Sequence, residues 1–139
     1  MTDADFSALV ADAKQAEGLK LKAYKDTEGV WTVGFGTNLQ ELEIDLPTAE
    51  MWLIKKLASS DREAERFPWY AAMTARRQRA IAELIYNLGL PRFLGFTKMQ
   101  KALSGRDYDT AALELLDSKW SKQVGPKRSQ RLAEMIRVG

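Results

Sequence analysis

Glu17-Gly18-Leu19-Lys20-Leu21-Lys22-Ala23-Tyr24-Lys25-Asp26-Thr27-Glu28-Gly29-Val30-Trp31-Thr32-Val33-Gly34-Phe35-Gly36 carries the sharpest change of pattern in the chain. It opens where a helical pattern stops and passes into two short β-prone segments, Leu21 to Tyr24 and Val30 to Val33. Between them, Asp26-Thr27-Glu28-Gly29 combines a side chain that hydrogen-bonds its own backbone with a glycine that tolerates positive φ, the chemistry of a tight turn. The segment therefore predicts a β-hairpin following a helix, with a third short strand expected before Asp45.

On the N-terminal side, Phe6, Leu9, Val10 and Ala13 recur at helical spacing over residues 4 to 16, with Asp3 available as a cap and Gly18 as the stop. Glu17 thus ends the first helix. After Pro47 the chain turns helical, with Thr48 expected to cap and Glu50 in the first turn, where negative charge is favoured. A break near Phe67-Pro68 precedes a helix from about Thr74 to Leu88, whose stripe of Ile81, Leu84, Ile85 and Leu88 predicts the most buried helix, closed by Gly89. Amphipathic segments follow at Thr97 to Ser104, Asp107 to Ser118 and Pro126 to Arg137, broken by Gly105, Gly125 and Pro126. The fold class is α+β, one domain over residues 1–139. About residues 18–46 form a small antiparallel sheet lobe, residues 1–17 and 47–139 a mainly helical lobe, and a cleft between the lobes is the expected substrate site.

Composition removes whole classes of chemistry. The chain has no histidine and no cysteine, so Ser-His-Asp and Cys-His hydrolysis, thiolate metal sites and most zinc hydrolysis lack their essential side chains. No cofactor and no metal are expected. Carboxylate chemistry remains, and among wall-degrading enzymes that points to glycosidic bonds. The N-terminus, Met1-Thr2-Asp3-Ala4-Asp5-Phe6, is acidic where a secretory signal would be basic, and no apolar run approaches the ~20 residues that span a bilayer. A soluble cytoplasmic chain without a signal peptide is expected.

Net charge is split. Residues 1 to 65 carry 7 Lys/Arg against 13 Asp/Glu, and residues 66 to 139 carry 14 against 6, giving −6 and +8. The basic half suits either a polyanionic partner, nucleic acid or an anionic cell envelope, or a solvated helical surface.

Glycoside hydrolysis needs one protonated carboxyl group beside the leaving oxygen and one carboxylate across the bond, in environments that separate their pKa values. Glu17 and Asp26 offer such a pair. A helix C-terminus disfavours the ionised form of Glu17, and a turn rich in backbone donors favours the ionised form of Asp26. Taken singly, each has an ordinary reading, a solvated helix-end residue and a turn former.

The spacing is more specific than either residue. A Glu, an Asp after eight intervening residues, a Thr after five more and a G-x-G strand end stand here as Glu17, Asp26, Thr32, Gly34 and Gly36. The segment closely resembles the catalytic segment of phage T4-type lysozymes, glycoside hydrolase family 24. The resemblance implies a lysozyme-like fold and a muramidase that cleaves the β-1,4 bond between N-acetylmuramic acid and N-acetylglucosamine, with inversion, for bacterial lysis. It implies Glu17 as general acid, Asp26 as the carboxylate that steadies developing positive charge and helps activate water, and Thr32 as a holder of that water.

The similarity extends along the chain. Tyr86-Asn87-Leu88-Gly89 resembles the family's F-N-x-G end of the central helix, which directs Asn87 to the cleft, and Leu94-Gly95-Phe96-Thr97 resembles the turn after it. Lys119-Trp120 and Gly125-Pro126-Lys127-Arg128 resemble the family's K-W and basic segments. Trp120 reads equally as a core aromatic or a cleft residue and is assigned to supporting the site. Arg128 is expected to pair with Glu17. The sequence departs from the pattern at Thr37, where several relatives have His, and its segment between Leu39 and Thr48 is short.

The partners implied are bacterial peptidoglycan and a separate holin-type membrane-pore protein that releases the enzyme from the host cytoplasm to the wall. A monomer that binds no nucleic acid is expected. A basic nucleic-acid-binding helical protein, a non-catalytic wall-binding domain and a lytic transglycosylase are the competing readings, and none of them requires Asp26 and Thr32 together.

Overall fold

The computed structural model describes all 139 residues. They form two compact units, Met1–Leu46 and Pro47–Gly139.

The first unit holds helix α1 (Asp3–Glu17) and strands β1 (Lys20–Lys25), β2 (Trp31–Gly34) and β3 (Thr37–Asn38). The cap of α1 is Thr2 rather than the expected Asp3. Its hydroxyl accepts from the Asp5 N–H while the Asp5 carboxylate accepts from the Thr2 N–H at 3.2 Å, a reciprocal capping box that Asp3 has no partner to build. The strands form an antiparallel sheet in the order β1-β2-β3, with Tyr24 opposite Thr32, Lys25 opposite Trp31 and Thr32 opposite Asn38. A register shift between Lys20 and Tyr24 bends β1. Alternation along β2 turns Trp31 to solvent and Thr32 inward, where Thr32 is 6% exposed. Lys25 lies over the ring of its cross-strand neighbour Trp31, 5.4 Å from the centroid.

The second unit is helical throughout. α2 (Leu46–Ala64) opens it and is followed by α3 (Ala75–Leu88), α4 (Leu90–Leu94), α5 (Thr97–Ser104), α6 (Tyr108–Leu116), α7 (Lys119–Val124) and α8 (Pro126–Val138). α2 begins one residue before Pro47, whose fixed φ suits a first turn, so Thr48 lies inside the helix and Glu50 beyond its first turn. Both differ from the expectation. α3 follows the prediction closely: Thr74 caps it through its hydroxyl, Gly89 ends it at φ +78, and Ala80, Ile81, Leu84, Ile85 and Leu88 are buried, more residues than any other helix buries.

The core gathers Ile81, Leu84 and Ile85 with Phe93, Met99, Leu103, Leu115, Leu132 and Ile136. Each such side chain contributes about 1.5 to 3 kcal/mol by leaving water. α8 packs on α3 and α6, and α5 on α6. Two short helices, α4 and α7, were not anticipated. Pro91 sits in the first turn of α4, and Ser118, expected as the end of the segment from Asp107, accepts from Ser121 N–H to start α7.

Candidate active site

Glu17 is placed by the way α1 stops. Gly18, at φ +70, leaves the helical path and its N–H closes on the Lys14 carbonyl, so Glu17 is the last helical residue. Gly36, after β2, approaches the Glu17 side chain. A Cβ built on Gly36 would stand 3.0 Å from Oε2 of Glu17 and 3.6 Å from its Cδ, and the Gly36 φ of +82 is one that L side chains rarely adopt. Space and backbone conformation both demand glycine there.

Asp26 is fixed by its own turn. Its Oδ1 accepts from the N–H of Glu28 at 2.9 Å and of Val30 at 2.8 Å, while its N–H donates to the Val30 carbonyl at 2.9 Å and its carbonyl accepts from Gly29. These bonds consume one carboxylate oxygen and leave Oδ2 as an acceptor. The Thr32 hydroxyl donates to the same Val30 carbonyl at 3.0 Å. Val30 thus links Asp26 to Thr32 through its peptide groups alone. With its one proton engaged, Thr32 Oγ1 meets any further partner as an acceptor.

The remaining three residues expected at the site belong to the second unit. Asn87, next to last in α3, accepts at Oδ1 from the indole N–H of buried Trp120 at 2.7 Å. Asn87 and Arg128 line the same groove of about 830 Å³, with Tyr86, Arg79 and Glu83 among its polar wall. Trp120 is therefore a core aromatic whose indole holds a groove residue, and it does not itself line the groove. Glu83 is ion-paired with Arg131 across α3 and α8. Deeper in the groove, the Tyr70 hydroxyl donates to Asp61 at 2.6 Å, and the Gln78 amide donates to the Tyr70 carbonyl at 3.1 Å. Burial, with the Asp61 carboxylate adding to it, pushes the Tyr70 hydroxyl far above the ordinary tyrosine range.

Sequence reasoning did not pick out Val30, Tyr70, Asp61 or Glu83. Val30 acts through its backbone, which no side-chain pattern reports; Tyr70 reaches Asp61 from the turns after α2, and Glu83 meets Arg131 only when α3 packs on α8. Gly36 was visible as the end of the G-x-G pattern, without a reason for it; the Glu17 carboxylate supplies that reason.

Comparison with known proteins bears on the whole chain. Residues 14–136 match the phage lysozyme family. Among relatives, the probable T4-type lysozyme 2 of Dictyostelium discoideum is 26% identical, with 96% of this chain and 95% of the relative covered. The probable T4-type lysozyme 1 of the same organism is 28% identical, with 91% of each chain covered. An endolysin of Acyrthosiphon pisum secondary endosymbiont phage 1 is 33% identical, with 84% of this chain and 80% of the relative covered. With the match spanning both the hairpin turn and the helical unit, the chain belongs to the phage lysozyme family and is a glycosidase of the lysozyme type.

Proposed function

We propose that the protein is a muramidase that hydrolyses the β-1,4 bond between N-acetylmuramic acid and N-acetylglucosamine in peptidoglycan. Glu17 gives its proton to the leaving oxygen, Asp26 faces the developing positive charge, and Asp26 with Thr32 holds the attacking water. The observation that carries this reading is the half-used Asp26 carboxylate. Two backbone N–H groups saturate Oδ1, Oδ2 accepts from no protein group, and Thr32 offers only an acceptor beside the shared Val30. Two acceptors can take both protons of one water, which leaves its lone pair for the anomeric carbon.

Glu17→Gln tests the acid. The amide has no proton to give, and general acid catalysis is worth about 10² to 10⁴ in rate, so lysis of purified walls is expected to vanish while the fold stays intact. Substantial lysis by this variant would overturn the assignment. Mass spectrometry of the fragments separates hydrolysis from a transglycosylase route, since hydrolysis leaves reducing ends and the other leaves anhydro ends.

No helix is long and apolar enough to cross a membrane. In this reading the enzyme acts in bacterial lysis and reaches the wall when a separate holin-type pore opens the membrane. Expression with and without inner-membrane permeabilisation tests it: lysis only after permeabilisation is expected, and lysis without it would refute the pore requirement.

A further inference from the structure

The hydrogen bond from Trp120 to Asn87 fixes more than a side-chain position. An indole N–H can only donate, so the atom of the Asn87 amide facing it must be the carbonyl oxygen, and at 2.7 Å the bond is short and well formed. The Asn87 NH₂ group is thereby committed to the other side. Trp120 is itself held rigidly: it is 2% exposed, and Ser118 starts its helix by accepting from Ser121 N–H at 3.1 Å. Asn87, by contrast, is exposed and lines the groove. A buried donor behind an exposed amide makes that amide a donor of fixed polarity. Without the indole, the amide could turn over and offer either end.

We infer that Asn87, locked by Trp120, is a specificity-determining donor that recognises the carbonyl oxygen of a 2-acetamido group on the glycan. The inference rests on the muramidase reading and deepens it. On a peptide-free amino-sugar strand, hydroxyls both donate and accept and so do not test a donor's polarity; the acetamido carbonyl accepts only, and of the acceptor-only groups it is the one N-deacetylation removes, the lactyl carboxylate and ether oxygens remaining on both strands. Removing the acetyl group replaces that acceptor with an ammonium, which has protons and no acceptor and cannot satisfy a donor facing it. A site whose donor is left unpaired rejects the altered substrate more strongly than one that merely loses contact. Trp120 acts through Asn87 and is a positioning residue.

The experiment uses the full chain and two peptide-free glycan strands, one fully N-acetylated and one N-deacetylated, with release of reducing ends as the assay. The unaltered protein is expected to prefer the acetylated strand in kcat/KM. Asn87→Asp keeps the acceptor for Trp120 and converts the outward donor into an acceptor. It is expected to raise KM on the acetylated strand about tenfold, the worth of one hydrogen bond, with kcat little changed, and to narrow the preference between strands. Trp120→Phe keeps the ring in the core and frees the amide to turn; its KM is expected to rise about threefold on the acetylated strand alone. Thermal melting of both variants reports any structural loss, which a KM difference between strands would not follow. Equal losses on the two strands, or a preference unchanged in Asn87→Asp, would overturn this inference while leaving the muramidase reading in place. Failure of the unaltered protein to release reducing ends from either strand would overturn that reading and this inference with it.

Discussion

Asp26 and Val30 are bonded to each other twice: the Asp26 N–H donates to the Val30 carbonyl at 2.9 Å, and the Val30 N–H returns to Asp26 Oδ1 at 2.8 Å. The carboxylate closes the hairpin turn and, in the proposed mechanism, also faces the sugar, and substitutions can separate the two roles. Asp26→Asn retains an Oδ1 that can accept from Glu28 and Val30, so the turn is expected to persist. It loses the negative charge that faces the sugar cation, and turnover is expected to fall on the order of 10²-fold or more. Asp26→Ala should lose the turn bonds as well and cost about 1 kcal/mol for each of them. Matched melting curves for the parent and Asp26→Asn, with a large rate difference, check the separation.

Gly36→Ala places a methyl group 3.0 Å from Glu17 Oε2 in a backbone conformation at φ +82 that alanine resists. The Glu17 carboxylate must move, or β2 and the turn after it must shift. Strain at such a φ costs about 1 to 2 kcal/mol, and moving the acid by a fraction of an ångström damages proton transfer further. A drop in kcat larger than the drop in stability would explain is expected from rate assays and denaturant titration run side by side. A variant with full activity would show that Gly36 does not set the position of Glu17.

What the sequence discloses about this fold follows from length and periodicity. α3 was legible almost to the residue because Ile81, Leu84, Ile85 and Leu88 repeat through several turns between Thr74 and Gly89. α4 and α7, with 5 and 6 residues, are too short for a 3.6-residue repeat to emerge, although Pro91 and Ser118 stand at their starts. The cap of α1 moved to Thr2 because a capping box needs a carboxylate three residues on, which Asp5 supplies. Glu17, Asp26 and Thr32 stand out in the sequence because their spacing resembles a known pattern. Their partners were not, since Val30 contributes peptide groups and the indole of Trp120 reaches Asn87 across 33 positions of sequence.

Tyr70 links the groove to pH. Its hydroxyl is raised above the ordinary 10.0 by burial first and then by its hydrogen bond to Asp61. A folded-state value above the unfolded one means that the stabilisation is fully present below pH about 10 and is lost as pH rises through the folded value. Alkaline unfolding is therefore expected to begin above pH about 10, with a proton released from Tyr70 on unfolding. Tyr70→Phe should flatten that alkaline slope and cost about 1 kcal/mol at neutral pH, because Asp61 loses its donor. Urea melts at pH 8 and pH 10.5 for both proteins measure the difference; an identical slope would show that Tyr70 is not the group responsible.

Arg77 ties the last turn of α8 to α3. Its Nε donates to the Ile136 carbonyl at 2.7 Å, Nη2 donates to the Arg137 carbonyl at 3.0 Å, and the guanidinium lies 3.7 Å from the ring centroid of Tyr108. A planar fork that stacks and donates in two directions has no lysine equivalent. Arg77→Lys keeps the charge at the helix C-terminus but is expected to cost about 2 kcal/mol, with a fall in Tm on the order of 5 °C. Activity per folded molecule should be unchanged at low temperature. Calorimetry of the two proteins checks the first statement and rate assays the second.

Thr32 decides the stereochemical prediction. Its proton is committed to Val30, so it can hold a water only by accepting from it, and Asp26 Oδ2 can accept the water's other proton. In the proposed mechanism, water held in this way presents its lone pair to the sugar and Asp26 acts as a base rather than a nucleophile, the arrangement of an inverting enzyme. Inversion at a β linkage yields the α anomer first. Thr32→Val keeps the branched shape that fits this buried strand position and removes the hydroxyl, both the acceptor for water and the donor to the Val30 carbonyl; the rate is expected to fall about 10²-fold, with a stability loss of only about 1 kcal/mol. Thr32→Ser restores the oxygen and is expected to recover most of the activity, which a loss of packing at β2 would not allow. NMR of the unmodified enzyme's product, recorded before mutarotation, checks the direction. If the β anomer appears first, the water is not the attacking group, Asp26 is the nucleophile, and Thr32 is held by Val30 for the sake of the turn alone.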